Sequence, residues 1–487
     1  MQTTEKKELK HELGLFDSTM IVIGSMIGSG IFIVSAEIAR TVGSTGYLFL
    51  VWLVAGVITL FAALSYGELA CLMPKAGGQY EYLRQAYNPL VGFLYGWTFF
   101  TVIQTGTIAA VAVGFAKFSG LLFPGIGTDI YIGNLFGLQI NSAQIVAILS
   151  ICLLTWINLR GIKLGKLVQD IFTVSKVLAL LGLIFTGLFL GANSAVIHQN
   201  FSQLWNAQSS VMGSGKVGLM ESLSGFALVA ALGSAMVGTL FSSDAWNNIT
   251  FIAGEVKNPK KNIPLSLIYG TGIVTVLYIL ANIAYLFVLP LNGTAGAQTV
   301  RELGISFAGK DRVGTAAVSV VFGQTGEVLM ALMIMVSTFG CNNGLILSGA
   351  RVLYAMANDN LFFKKAGTLN KASVPGWALI MQAVWASLLC LSGAYGQLLD
   401  YVMFAVLLFY IFTIAGIFIL RKKLPNAPRP YSVPGYPFLP IIYIILASAI
   451  CLILLIYKPL YTWSGLGLVV LGIPVYYLRL KFRTVKE

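Results

Sequence analysis

The chain has 487 residues, of which 57% are hydrophobic and 10% are charged, and its formal net charge is +13 at pH 7. Soluble domains carry about 25% charged residues, so the composition excludes a soluble globular protein and predicts an all-α integral membrane protein. The basic excess does not indicate nucleic-acid binding, because the basic residues concentrate in alternate loops between apolar segments.

The apolar residues form about twelve segments long enough to cross a bilayer, for which about 18 apolar residues suffice. From the N-terminus, the predicted spans are 14–36, 46–72, 89–117, 143–159, 167–191, 219–252, 263–290, 321–350, 375–394, 398–420, 437–457 and 462–478.

Charge placement predicts the orientation. Most Lys and Arg residues lie in the tails and in every second loop, which by the positive-inside rule puts both termini in the cytosol. The start of the chain is charged and polar, unlike a secretory signal, so we expect a multi-pass protein of the plasma or inner cell membrane. The five cysteines lie in apolar segments without metal-ligand spacing, so we expect no disulfide, metal or cofactor.

The spans are expected to group as five, five and two. A proline-rich linker at 423–435 separates ten spans from the last two. Halves of five spans enter the bilayer from opposite sides and can be related by a twofold axis in its plane. The predicted units are a cytoplasmic tail, a first repeat, a second repeat, a two-span unit and a second tail, at 1–13, 14–191, 219–421, 437–480 and 481–487.

The first span is interrupted by Gly24, Gly28 and Gly30. Unwinding there would free backbone N–H groups at the positive end of the following half-helix, which suits a substrate carboxylate. Glycine is needed where a substrate approaches the backbone itself. The alternative is that Gly24 and Gly28 form a helix-packing face.

The sixth segment, 219–252, is too long for one straight crossing and carries Asp244 near its middle. An acid at that depth is a functional-site candidate, and with half-helix carbonyls it would favour an ammonium group. Alternatively, Ser243 or Asp244 caps the second half-helix. A carboxylate at one break and an ammonium at the other describe an amino-acid site.

Lys176 lies ten residues beyond Lys166, which places it roughly 15 Å deep in the fifth span. A buried ammonium needs partners, and the carbonyls freed in the first span are suitable ones. Such a fixed cation would act where other transporters bind sodium, although a satisfied packing lysine is the alternative. Ser337 and Thr338 in the eighth span would turn hydroxyls toward Lys176 or bond between helices.

These segments resemble the amino acid–polyamine–organocation superfamily and, within it, the L-type amino acid transporter family. The resemblance covers nearly the whole chain and rests on residues 24–32, 68–78, 241–246, 254–264 and 337–351, in this order. It implies a five-plus-five inverted repeat with broken helices 1 and 6, followed by two C-terminal helices. It also implies one-for-one amino-acid exchange, with Phe241 as an outer gate and Lys176 in place of a sodium ion.

The site residues implied by the breaks and the resemblance form two sets. The candidate substrate-binding residues are Ser25, Ile27, Gly28, Ser29, Gly30, Ile31, Phe241, Ser242, Ser243, Asp244 and Trp246. The candidate coupling residues are Lys176, Ser337 and Thr338.

Two departures from the family pattern and one resemblance to particular members matter. Ala245 replaces the usual glycine, and Asp244 resembles members that accept dibasic as well as neutral substrates. The loop 118–142 lacks the cysteine that binds a heavy chain in animal relatives, so we expect no disulfide-linked partner.

The leading interpretation is a sodium-independent exchanger of neutral L-amino acids, with some cationic ones. Proton-coupled symport of the same substrates is the close alternative, because Lys176, Asp244 and Glu68 remain candidate proton carriers. An ion channel is a remote alternative, since no charge ring or carbonyl filter is evident. An enzyme is disfavoured because no nucleophile–base pair or metal cluster is evident.

Overall fold

The computed structural model describes residues 9–135, 138–209, 221–391 and 395–484. Residues 1–8 and 485–487 of the predicted tails, 219–220 of the sixth span and 392–394 of the ninth lie outside the described residues. The helices are α1 (Leu15–Met26), α2 (Val34–Val42), α3 (Thr45–Leu72), α4 (Gln79–Ala86), α5 (Pro89–Thr98), α6 (Gln104–Leu122), α7 (Ser142–Leu159), α8 (Ile162–Phe185), α9 (Ser194–Phe201), α10 (Gly225–Ser242), α11 (Asn248–Phe251), α12 (Pro259–Val288), α13 (Val300–Leu303), α14 (Val313–Asn358), α15 (Gly376–Leu391), α16 (Tyr395–Lys423), α17 (Phe438–Tyr457) and α18 (Pro459–Thr484).

Two antiparallel strand pairs are the sheet structure of the described residues. Strands β1 (Tyr131–Leu135) and β2 (Leu138–Asn141) pair in the loop between α6 and α7. Strands β3 (Gln208–Ser209) and β4 (Glu221–Ser222) pair before α10. Because they are confined to connecting loops, the all-α class predicted from the sequence is confirmed.

Ten helical stretches of the described residues are long and apolar enough to cross a membrane, and two shorter apolar helices are α1 and α15. Helix α1 is short because the first span is interrupted after Met26. The stretch beyond α15 includes residues 392–394, which lie outside the described residues. The ten long stretches and two short ones correspond in order to the twelve spans predicted from the sequence.

Several spans are irregular at defined residues. A π-helical turn at Phe99–Ile103 joins α5 to α6 in one crossing, and another at Thr186–Leu190 ends the fifth span. Helix α14 is longer than the predicted 321–350 because it includes a preceding segment that meets it at Gly323. Gly323 has φ +57°, a conformation that glycine adopts without steric cost.

The helix packing comes in matched pairs. Helix α1 packs against α8, α12 and α14. Helix α10 packs against α3 and α16, and helix α11 packs against α14. The pairs α3–α12, α6–α14 and α7–α15 also pack together. These three pairs join spans two and seven, spans three and eight, and spans four and nine. A twofold axis that relates the two halves would bring each of these pairs together. The packing supports the five-plus-five interpretation, which stays a prediction.

Two buried carboxylates connect distant parts of the chain near the ends of the spans. Glu255 accepts hydrogen bonds from the Arg351 guanidinium at 2.7 and 3.2 Å, and both side chains are almost fully buried. Glu68 accepts from Arg421 at 2.8 and 2.7 Å and from the backbone of Val433 at 2.9 Å. Removing one partner of a fully buried pair costs about 3–5 kcal/mol, so the Glu255–Arg351 pair firmly connects the segment after α11 to α14.

Candidate functional site between the two broken helices

The first span unwinds between α1 and α2. Ile27 is extended, with φ −76° and ψ 96°, and a 3₁₀ turn at Gly30–Phe32 leads into α2. Among the described residues, no acceptor is found for the backbone N–H groups of 28–31. These four consecutive N–H groups lie in a bundle core, where unpaired donors are costly. The break can therefore donate to an anionic group of a bound molecule.

The three glycines of this break serve different purposes. A Cβ on Gly24 would lie 2.1 Å from Nε2 of Gln169 in α8, so Gly24 packs against the fifth span. A Cβ on Gly30 would lie 2.1 Å from Oγ of Ser242, so the two breaks approach each other here. A Cβ on Gly28 would meet only the Cys341 sulfur, at 3.5 Å. The packing interpretation thus fits Gly24, whereas a Cβ on Gly28 would make only an ordinary contact with the Cys341 sulfur.

Lys176 connects the break to two other spans. Its ammonium donates hydrogen bonds of 2.8 Å to the carbonyls of Gly24, Ile27 and Ser337, and its side chain is only 1% exposed. Two of these acceptors are the carbonyls that the interruption in the first span frees. All three protons of the ammonium are used, so the cation is held by backbone oxygens in the way a bound metal cation would be.

The eighth span supplies further contacts to the same backbone. The Ser337 hydroxyl lies 3.1 Å from the carbonyl of Ile27 and 3.0 Å from that of Gly28, and Cys341 Sγ lies 3.0 Å from the carbonyl of Ser25. Thr338 does not join this network, because its hydroxyl bonds the carbonyl of Ile334 in its own helix. The Ser25 hydroxyl is buried without a partner among the described residues and is thus free to meet a bound molecule.

The sixth span is broken between α10 and α11. Ala245 has φ +65°, which is unfavourable for a residue with a Cβ and which glycine adopts without steric cost. Helix α11 has Asn247 at its N-cap and no side-chain cap hydrogen bond. Asp244 and Ser243 therefore do not cap it, and their carbonyl oxygens accept no hydrogen bond from the described residues.

Asp244 faces a pocket beside this break. Its carboxylate accepts a 2.6 Å hydrogen bond from the hydroxyl of Tyr410 in α16. No ion pair involving Asp244 is found within the described part of the chain. The pocket is lined by Gln79, Tyr95, Phe99, Ile103, Gln104, Thr107, Asp244, Ala245, Asn247, Asn248, Phe251, Leu345, Val406 and Tyr410.

Some polar side chains of this pocket have hydrogen-bonding groups without a partner among the described residues. The side-chain oxygen of Asn248 accepts hydrogen bonds from the Ser348 hydroxyl at 2.8 Å and from the Gln104 amide at 3.4 Å. The Nδ2 group of Asn248 therefore points away from Ser348 and Gln104. That Nδ2 is buried without a partner among the described residues. The pocket therefore offers a donor, Asn248, and an acceptor, Asp244, to a bound polar group.

Tyr278 in α12 bridges the two breaks. Its hydroxyl lies 3.2 Å from the carbonyl of Met26 and 3.0 Å from that of Ser242. Tyr285 lies about two helical turns further along α12. Its hydroxyl lies 3.3 Å from the carbonyl of Ile31 and contacts the first break alone. Sequence reasoning did not find Tyr278, Tyr410, Gln104 or Asn248, because a single polar residue in an apolar span carries no sign of which face it occupies.

The remaining predicted residues line the site to different degrees. Ser29 and Ile31 are buried, Phe241 is half-buried, and Trp246 is 1% exposed. The Trp246 ring packs against Tyr66 at 4.8 Å and Tyr410 at 5.3 Å between centroids. The Ser242 hydroxyl bonds the carbonyl of Gly238 in its own helix. Trp246 and Ser242 thus shape the second break, while the backbone of 28–31 and Asp244 offer the free polar groups.

Ten long spans around two facing helix breaks define the class of this protein. Discontinuous membrane helices that present unpaired backbone groups to each other are the substrate sites of secondary transporters. The arrangement offers N–H groups at one break and carbonyl and carboxylate oxygens at the other. It can hold a zwitterion between the two broken helices, and the class that these features define is a membrane transporter.

Comparison with known proteins identifies the family. The amino acid permease family model matches residues 13–473. The serine/threonine exchanger SteT of Bacillus subtilis is 31% identical over 97% of this chain and 98% of its own length. The b(0,+)-type amino acid transporter 1 of Rattus norvegicus is 28% identical over 100% and 92%, and the large neutral amino acids transporter small subunit 2 of Mus musculus is 30% identical over 96% and 81%.

The chain belongs to the amino acid permease family of the amino acid–polyamine–organocation superfamily, and it is an amino acid transporter. The resemblance to L-type transporters noted in the sequence is confirmed by these relatives.

Proposed function

We propose that the chain is a sodium-independent exchanger that moves neutral L-amino acids, and through Asp244 some cationic ones, by alternating access. The substrate carboxylate binds the free N–H groups of 28–31, and the ammonium group binds the free carbonyls of Ser243 and Asp244. The relative named as a serine/threonine exchanger supports exchange rather than net uptake.

The contact of the Lys176 ammonium with three carbonyls carries the proposal. A cage of backbone carbonyls between the first and eighth spans is suited to a bound cation. Here a covalently attached ammonium fills it, so the chain has no need of sodium at this position. Because the charge is attached to the fifth span, it cannot be carried across the membrane with the substrate.

The test is uptake of radiolabelled serine into proteoliposomes of the purified chain, with or without unlabelled serine inside. We expect uptake only when internal serine is present, and the same rate with sodium or potassium outside. Uptake into empty vesicles that follows an inward sodium gradient would contradict the proposal.

Asp244 supports proton-coupled symport as the second candidate. Its carboxylate is in the pocket with the Tyr410 hydroxyl as its partner and with no ion pair in the described residues, so it is placed to take a proton with the substrate. In the same vesicles, uptake without internal serine that requires an inward proton gradient and disappears in Asp244→Asn would favour symport over exchange.

A further inference from the structure

One corner of the molecule outside the transport site gathers basic side chains and exposed tryptophans. It lies where α7 ends and α15 begins, and we call it the α7–α15 corner. Its basic residues are Arg160, Lys364, Lys365 and Lys371, and its tryptophans are Trp156 and Trp377. The charge distribution predicts that this face is cytoplasmic.

The two sides of the corner are in direct contact. The Asn370 side-chain amide donates to the carbonyl of Leu159 at 2.9 Å. A Cβ on Gly161 would lie 3.6 Å from Cβ of Ala372, and a Cβ on Gly376 would lie 3.3 Å from Leu159. The backbone that carries Lys371 is therefore adjacent to the backbone that carries Arg160, and the start of α15, which carries Trp377, is adjacent to the end of α7.

Each tryptophan holds a cation over its ring. The Arg160 guanidinium lies 4.6 Å from the Trp156 ring centroid, and the Lys365 ammonium lies 5.1 Å from that of Trp377. The two indoles are 51% and 48% exposed. Exposed tryptophans on spanning helices mark the headgroup level of the bilayer, so these cations lie at the depth of lipid phosphates.

The positive charge of the corner is not neutralised by the protein. The segments 142–169 and 360–391 contain no Asp or Glu. Within the described part of the chain, Arg160, Lys364, Lys365 and Lys371 take part in no salt bridge. By contrast, the neighbouring Lys163 and Lys166 approach Glu12 and Asp17 at 3.7 and 2.9 Å.

We propose that the α7–α15 corner is a binding site for an anionic phospholipid of the adjacent leaflet. The lipid phosphate lies between Arg160, Lys365 and Lys371, and its acyl chains run along the exposed faces of α7 and α15. Basic pockets between spanning helices bind anionic headgroups in this way, and each cation near the surface contributes about fivefold in affinity. A zwitterionic lipid cannot neutralise the cluster and binds more weakly.

Native mass spectrometry of the purified chain with phosphatidylglycerol and phosphatidylcholine tests the proposal. We expect phosphatidylglycerol to bind preferentially, and the triple variant Arg160→Gln, Lys365→Gln, Lys371→Gln to lose about 100-fold in affinity, at about fivefold per charge. The charge-keeping variant Arg160→Lys, Lys365→Arg, Lys371→Arg should retain binding within about threefold.

The matched control is Lys257→Gln, Lys260→Gln, Lys261→Gln, which removes the same charge from exposed positions just before and within the first turn of α12. Equal loss of lipid in both triple variants, or no preference for phosphatidylglycerol, would overturn the proposal in favour of general attraction to anionic surfaces. If the first triple variant does not fold, Lys371→Gln alone is expected to lower affinity about fivefold, and unchanged affinity would refute the site. The readout is lipid binding, so its outcome is independent of whether the chain exchanges amino acids.

Discussion

The two helix breaks differ in how the protein holds them. The first is connected to the fifth and eighth spans by the Lys176 ammonium and the Ser337 hydroxyl. Among the described residues, no cationic side chain contacts the second break. The hydroxyls of Tyr410 and Tyr278 contact it instead, and Ala245 within it has a left-handed backbone conformation. We therefore propose that the first break is preorganised for the carboxylate that all amino acids share.

The second break is held by fewer contacts and lies next to the pocket with Asp244. Variants at the first break should therefore affect all substrates alike, and variants at the second should discriminate between substrates.

The largest effect is expected from Lys176→Ala. The change removes the ammonium from three buried carbonyls, of which that of Ile27 keeps the Ser337 hydroxyl, and a buried acceptor left unsatisfied costs about 1–3 kcal/mol. Exchange should fall at least about 100-fold for serine and arginine alike, measured as counterflow in proteoliposomes at equal protein. Lys166→Ala, which removes a partly exposed ion pair with Asp17, is the control and should change the rate less than about threefold. A rate above a tenth of the original in Lys176→Ala would contradict the role of this residue.

Asp244→Asn should discriminate between substrates. Hydrogen bonds to a charged partner contribute about 1.5–3 kcal/mol, so the KM for arginine should rise about 10- to 100-fold while that for serine changes little. Tyr410→Phe keeps the carboxylate and removes its hydroxyl partner, so the preference between arginine and serine should survive in it. Equal losses for both substrates in Asp244→Asn would mean that the carboxylate only shapes the break.

Tyr278→Phe tests the link between the breaks. Removing the hydroxyl frees the carbonyls of Met26 and Ser242, and an effect of about 1 kcal/mol predicts about fivefold slower exchange. Tyr285→Phe loses a hydroxyl that reaches only the first break and should have a smaller effect. Radiotracer exchange at saturating serine separates the two variants, and equal rates would show that bridging has no role.

The smallest effect is expected from Ala245→Gly. Glycine removes the steric cost of φ +65° in the folded state, but it also increases the conformational entropy of the unfolded chain, which opposes folding. Because we expect the first effect to be larger, the protein should be stabilised by about 0.5–1 kcal/mol. Ala231→Gly in the regular part of α10 should instead destabilise by about 1 kcal/mol. Thermal unfolding in detergent compares them, and a lower transition temperature for Ala245→Gly would show that the left-handed conformation carries no strain.

Much of the fold could be predicted from the sequence, since twelve apolar segments are read directly from hydrophobicity. The interruption at 24–30 is indicated by the grouping of Gly24, Gly28 and Gly30 in one span, and Asp244 stands out because a carboxylate is unexpected at that depth. Helical rise alone predicts the depth of Lys176 in the membrane, and the structure shows its side chain buried. The span boundaries were less accurate at α14, where Gly323 joins two segments whose apolar character is similar.

Other features required the tertiary structure. The hydroxyls of Ser337 and Thr338 are adjacent in sequence, yet one bonds the first break and the other its own helix. Gly24 and Gly28 look alike in the sequence, yet a Cβ would clash with Gln169 at the first and make only an ordinary contact with Cys341 at the second. Such differences depend on which neighbour each helix face meets, and a single apolar span carries little periodic signal for its rotation.

The sequence by itself determined the membrane class, the order of the spans and the two places where helices break, because these follow from residue-by-residue transfer and backbone preferences. Only the tertiary structure decided what the breaks contact: Lys176 at one, Asp244 with Tyr410 at the other, and Tyr278 between them. Those contacts join residues up to 252 positions apart. They are set by the packing of helices in the bundle, to which every span contributes.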